Sequence, residues 1–80
     1  MYLAELIEAV ESMIDDCAAN GGVPGARRLA ATFLLLSWAA DSRCVAIECR
    51  LRGDIDAALT AEQASDKYIT GARKAANQDA

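Results

Sequence analysis

Cys17, Cys44 and Cys49, together with twelve carboxylates, are the first candidates for chemistry in this 80-residue sequence, which contains no histidine. A thiol becomes a nucleophile when a base or neighbouring cations stabilise its thiolate. Without histidine that base has to be lysine or a carboxylate, and the two lysines, Lys67 and Lys74, lie near the polar end of the chain. Arg43 adjoins Cys44, but consecutive residues on a helix do not face one another. Zinc needs converging Cys or His ligands. Cys44 and Cys49, five residues apart, would stand about 140° apart around a helix and about 7.5 Å apart along it. Glycoside chemistry needs two carboxylates flanking one bond, and nothing singles out such a pair; the Glu-x-x-His pattern of di-iron bundles cannot occur. Gly21-Gly22 follows a helical pattern rather than a strand, so it reads as a cap and not as a phosphate cradle. The chain is therefore expected to be no enzyme and to need no metal or cofactor. The cysteines are expected to serve as small apolar residues.

The carboxylates are informative in another way. Glu5, Glu8, Glu11 and Asp15 recur every three or four residues, which places them along one side of a helix, opposite Leu6, Val10 and Met13. No Lys or Arg precedes Arg27. Like charges at this spacing cost about 0.2–0.5 kcal/mol per pair, and Asp15 and Asp16 also sit at the negative end of the helix dipole. A hairpin turn would bring Arg27 and Arg28 near Asp15 and Asp16, leaving Glu5, Glu8 and Glu11 without compensation. Four acids over ten residues span about 15 Å, close to one charge per 4 Å, against 3.4 Å for phosphates along a DNA strand. The stripe is thus a candidate dock for a basic, nucleic-acid-binding protein surface. A net charge of −4 disfavours direct binding to nucleic acid or an anionic membrane.

The elements that must position these residues read as helices throughout, since Ala, Leu, Glu and Arg dominate and no period-two alternation occurs. The expected fold is all-α: a single domain over 1–80, a small three-helix bundle built on an antiparallel hairpin with a long central helix. The first helix spans about 2–19, with Leu3, Leu6, Ile7, Val10, Met13, Ile14 and Cys17 on one face. Asn20-Gly21-Gly22 and Pro24-Gly25 make the turn. The second spans about 26–52 and carries two apolar stripes, Leu29-Phe33-Leu36-Ala40-Ile47-Leu51 and Ala31-Leu35-Trp38-Ser42-Val45-Cys49. The third spans about 54–76, with Ile55, Leu59, Tyr68 and Ile69 inward; its start is either Gly53-Asp54 or the capping box Thr60-Ala-Glu-Gln63. Residues 77–80 read as a frayed tail. The third helix is too rich in alanine to hide Leu34, Leu35 and Trp38 together. Leu35, Trp38 and Val45 are accordingly the predicted contact of a homodimer or a partner helix.

The stretch AIECRLRGDIDAAL is similar to the junction between the two helices of a tetratricopeptide repeat, with Gly53 at the turn, Ala46 before it and Ala58 after. Cys49 replaces the usual aromatic, and no second copy occurs at the period of about 34 residues. The resemblance implies a helix-turn-helix junction and at most a protein-binding surface. Arg52-Gly53-Asp54 also spells an integrin-type tripeptide, which is better read as helix termination. In size, acidity and lack of catalytic residues the chain resembles small phage-encoded inhibitors such as anti-CRISPR proteins. The odd cysteine count, the missing signal-peptide pattern and the interruption of Leu29–Ala40 by Thr32 and Ser37 point to a cytoplasmic protein with no membrane span. Two functions follow as expectations: an acidic inhibitor or regulator that acts through Glu5, Glu8, Glu11 and Asp15, or an adaptor that acts through Leu35, Trp38 and Val45.

Overall fold

A computed structural model describes residues 2–77. Among them are three α-helices and no strand: α1 (Tyr2–Asp16), α2 (Gly22–Leu51) and α3 (Ile55–Ala76), with a single π-helical turn, Cys17–Gly21, between α1 and α2. The chain is all-α, as its composition predicts. Asn77 caps α3 by donating its N–H to the Arg73 carbonyl at 3.1 Å. The rest of the expected frayed tail lies outside the described residues.

The break between α2 and α3 falls at Gly53. Gly53 has φ +81°, a conformation that suits glycine because it has no Cβ. Its N–H bonds to the Arg50 carbonyl at 3.0 Å, and the Asp54 N–H bonds to the Cys49 carbonyl at 2.8 Å, the Schellman pattern of a helix end. Asp54 then starts α3, its Oδ1 accepting from the Ala57 N–H at 3.3 Å. The alternative start at Thr60 does not occur. Thr60 lies inside α3, where its hydroxyl donates to the Asp56 carbonyl at 3.1 Å. A Cβ on Gly53 would meet nothing within 4 Å, so Gly53→Ala should cost only the backbone term, about 1–2 kcal/mol. A urea melt followed by circular dichroism measures it; an unchanged midpoint would show that the turn relaxes freely.

α2 and α3 pack against each other along an antiparallel seam of small side chains. On α2 the seam runs Leu35, Ala39, Ser42, Ala46 and Cys49; on α3 it runs Ala58, Ala61, Ser65, Tyr68, Ala72 and Ala75. Each of these is buried or half-buried. The alternating steps of three and four are those of two helices meeting along a straight seam. Ala46 and Ala58 are 1% and 0% exposed, because side chains this short let the two backbones approach closely. At Gly71 the approach admits Leu35, whose Cδ1 would lie 3.5 Å from a Cβ built there. The register is pinned on one flank by Arg43–Asp66 at 3.5 Å and by Arg50, whose Nε and Nη2 both donate to Glu62 Oε1. Both ion pairs are largely exposed, so each contributes at most about 1 kcal/mol. On the other flank the Trp38 and Tyr68 rings lie 5.6 Å apart at 60°, a tilted pair.

This seam differs from the one expected. The fully buried residues of α3 are Ala58, Ser65 and Ala72, while of the four residues expected inward Tyr68 and Ile69 are half-buried and Ile55 and Leu59 are each 47% exposed. On α2 the buried line keeps Leu35, Ser42 and Cys49 of the second predicted stripe but turns toward Ala39 and Ala46, leaving Trp38 and Val45 on its edge. The physical reason is side-chain size. Periodicity counts large apolar residues, but two helices approach closest where the residues are smallest, and the large ones are left on the flanks.

α1 also departs from expectation. Contact along the whole length of α2 would form a closed hairpin, yet α1 meets α2 only near the turn. There Cys17 packs on buried Gly25, with Sγ 3.6 Å from where a Gly25 Cβ would stand. Gly22, at φ 59° and ψ −156°, redirects the chain, and its N–H closes the π-helical turn on the Cys17 carbonyl. Pro24 then sits in the first turn of α2, where its missing N–H costs no hydrogen bond. Beyond Val10 and Phe33 the two helices diverge, and no residue of α1 is buried. The extents are 49 × 29 × 13 Å, so the chain is one helix thick.

At 30 residues α2 is long and apolar enough, by length and composition, to cross a membrane, which the interrupted stretch Leu29–Ala40 did not suggest. α3 carries Asp56, Glu62, Asp66, Lys67, Arg73 and Lys74, and a bilayer around α2 would have to accommodate them as well.

Candidate protein-binding surfaces

Three surfaces emerge from this layout. The first is the acidic side of α1. The 15 residues of α1 hold apolar side chains on one face, so the helical period turns Glu5, Glu8, Glu11 and Asp15 to the other. All four are exposed, and none forms an ion pair among the described residues. Asp16 lies at the base of α1, and it shares with Arg28 the lining of one shallow cleft beside Cys17 and Thr32. The first 20 residues hold five of the twelve acids and none of the eight cations. The negative charge of the chain is therefore concentrated on α1, whereas residues 22–76 hold all eight cations against six acids, a net charge of +2.

The second surface contains Leu35, Trp38 and Val45. The structure does not keep these three equivalent. Leu35 is half-buried under Gly71, Trp38 leans on Tyr68 and is 45% exposed, and Val45 is 50% exposed. α3 therefore covers one end of the stripe and leaves the other open. Trp38, Asp41, Ser42 and Tyr68 line a shallow depression between the two helices.

The third surface was not legible as a site in the sequence. Where α1 and α2 diverge they enclose an apolar cleft of about 580 Å³, walled by Val10, Ile14 and Cys17 on one side and by Val23, Leu29 and Phe33 on the other. The signal available was the unbroken apolar face of α1. That face was assigned to the interior of a hairpin, which the turn geometry does not close.

The cysteines are dispersed: Cys17 sits in the crotch of α1 and α2, Cys44 is exposed, and Cys49 is buried in the seam. Arg52 Nη2 lies 3.5 Å from Cys49 Sγ. Among the described residues no three Cys, Asp or Glu side chains converge so as to hold a metal ion. Ala46 and Ala58, the residues that carry the likeness to a repeat junction, are buried on either side of Gly53. That arrangement is helix-turn-helix packing, and it brings no further functional residue with it. No protein-family model, curated protein sequence or solved structure matches this chain.

Proposed function

We propose that this chain is a small, acidic, non-enzymatic protein-binding module, an inhibitor or regulator that covers a basic, nucleic-acid-binding surface of a partner protein. One observation carries the reading: Glu5, Glu8, Glu11 and Asp15 stand exposed and, among the described residues, without ion pairs along a helix that projects from the α2–α3 pair. Lining up these charges costs α1 stability. A cationic surface would offset that cost on binding and speed the encounter. The α2–α3 pair serves as the scaffold that holds the arm.

Salt separates this reading from others. Protein captured from cell extract at about 0.05 M salt should be basic, and it should be released as the salt approaches about 0.5 M, where screening acts within a few ångströms. Capture that persists at the higher concentration would overturn the reading.

A second reading, an adaptor that recruits a partner helix, is favoured by the exposure of Trp38 and Val45 beside Tyr68. Trp is frequent among the residues that dominate binding energy. This binding would respond little to salt and would be weakened by Trp38→Ala. Loss of binding in that variant, with salt insensitivity, would replace the first reading by the second.

A further inference from the structure

The structure lacks a second layer. Stable domains pack at least two layers of secondary structure around one core, whereas the shortest extent here, 13 Å, is about the diameter of one helix. The radius of gyration is 15.4 Å, against about 11.6 Å for a compact chain of 80 residues. Exposed area tells the same story. A compact monomer of 8.5 kDa exposes about 4,650 Å², and this chain exposes 6028 Å². The excess of roughly 1,400 Å² is more than the ~800 Å² that each partner contributes to a standard interface. Part of that excess lies where α1 leaves α2: Leu3, Leu6, Ile7 and Ile14 are each at least half exposed and continue the apolar wall of the cleft.

We propose that a second copy of this chain closes the cleft, its α1 lying between the α1 and α2 of the first, with the two α1 helices antiparallel about a two-fold axis near Val10. Two features select this occupant. Val10 is close to the middle of Tyr2–Asp16, so an antiparallel pair centred there sets Leu6 of each copy beside Ile14 of the other and leaves no apolar turn unmatched. The acids lie on the opposite side of α1, so pairing the apolar faces buries none of them. The contact is isologous, as two-fold dimers require. The inference does not depend on the proposed function, because the dimer leaves both acidic stripes outward and available.

Light scattering on the full chain at micromolar concentration should give twice the 8.5 kDa of one chain. Leu6→Glu combined with Ile14→Glu should weaken the dimer at least about a hundredfold, because each glutamate would be buried without a partner. Neither residue is buried in the single chain, so the helical circular dichroism of α2–α3 should survive in this variant. Val45→Glu, on the other flank, should leave the dimer intact. As a second variant, Val10→Cys with Cys44→Ser should yield an oxidised dimer linked through position 10, identified by peptide mapping. A monomeric wild-type chain, a dimer that survives the α1 changes, or a dimer lost only with Val45→Glu would each overturn the proposal. So would failure of Val10→Cys to cross-link under oxidation.

Discussion

Ala58→Leu should remove most of the stability of the α2–α3 pair. Ala58 is 0% exposed and lies in the seam with Ala46, itself 1% exposed. The added isobutyl group has no cavity to enter, so the helices must separate or the side chain must adopt a strained rotamer. Overpacking of this kind costs about 1–3 kcal/mol and occasionally more. The upper end applies here, because separating the helices also loosens Ala39, Cys49 and Ser65, which share the seam. A single core in a chain of this length supplies only about 3–5 kcal/mol, so about 3 kcal/mol is most of what is available. Urea denaturation followed by Trp38 fluorescence is the measurement, since Trp38 packs on Tyr68 across the same pair of helices. Gln63→Leu is the control. Gln63 is an exposed position in the same helix, where a surface change should move stability by less than about 0.5 kcal/mol. If Ala58→Leu proves as mild as Gln63→Leu, the close seam of small residues is wrong.

Reversing Glu8 and Glu11 to Lys should abolish partner binding while leaving the fold in place. Both residues are exposed and form no ion pair among the described residues, so no ion pair among them is lost. The change even relieves repulsion along α1, where like charges three or four residues apart cost about 0.2–0.5 kcal/mol per pair. Against a basic surface the effect reverses: two attractive charges become two repulsive ones, and like-charge juxtaposition costs several kcal/mol. Since 1.4 kcal/mol is a factor of about ten, affinity should fall at least about a hundredfold, and most steeply at low salt. Binding titrations of the wild type and the double variant, at two salt concentrations, measure both effects. Retained affinity would assign the acids to solubility alone and leave the surface around Trp38 and Val45 as the binding face.

Local information in this sequence settled a good deal. Helical composition, the turn residues Gly21 and Gly22, and the sequence Gly53-Asp54 located all three helices to within a few residues, because capping and positive φ are decided by the residues at the helix end themselves. The amphipathic character of α1, with Glu5, Glu8, Glu11 and Asp15 on its polar side, was equally legible, since it follows from spacing along one element. The start of α2 was less so: Pro24 and Gly25 look like turn residues, but Pro is tolerated in the first turn of a helix, and Gly25 is buried there against Cys17.

What only the tertiary structure decided is which faces meet. Large apolar residues drew two stripes on α2, yet α3 packs on one edge of the second, where Leu35, Ser42 and Cys49 alternate with Ala39 and Ala46. The closeness of two backbones depends on the smallest side chains of both helices together, and neither helix reveals that alone. The same holds for α1. Its apolar face was plain in the sequence, but whether that face folds onto α2 or opens a cleft depends on a π-helical turn and on the angle at Gly22, which couple two helices through a handful of backbone torsions.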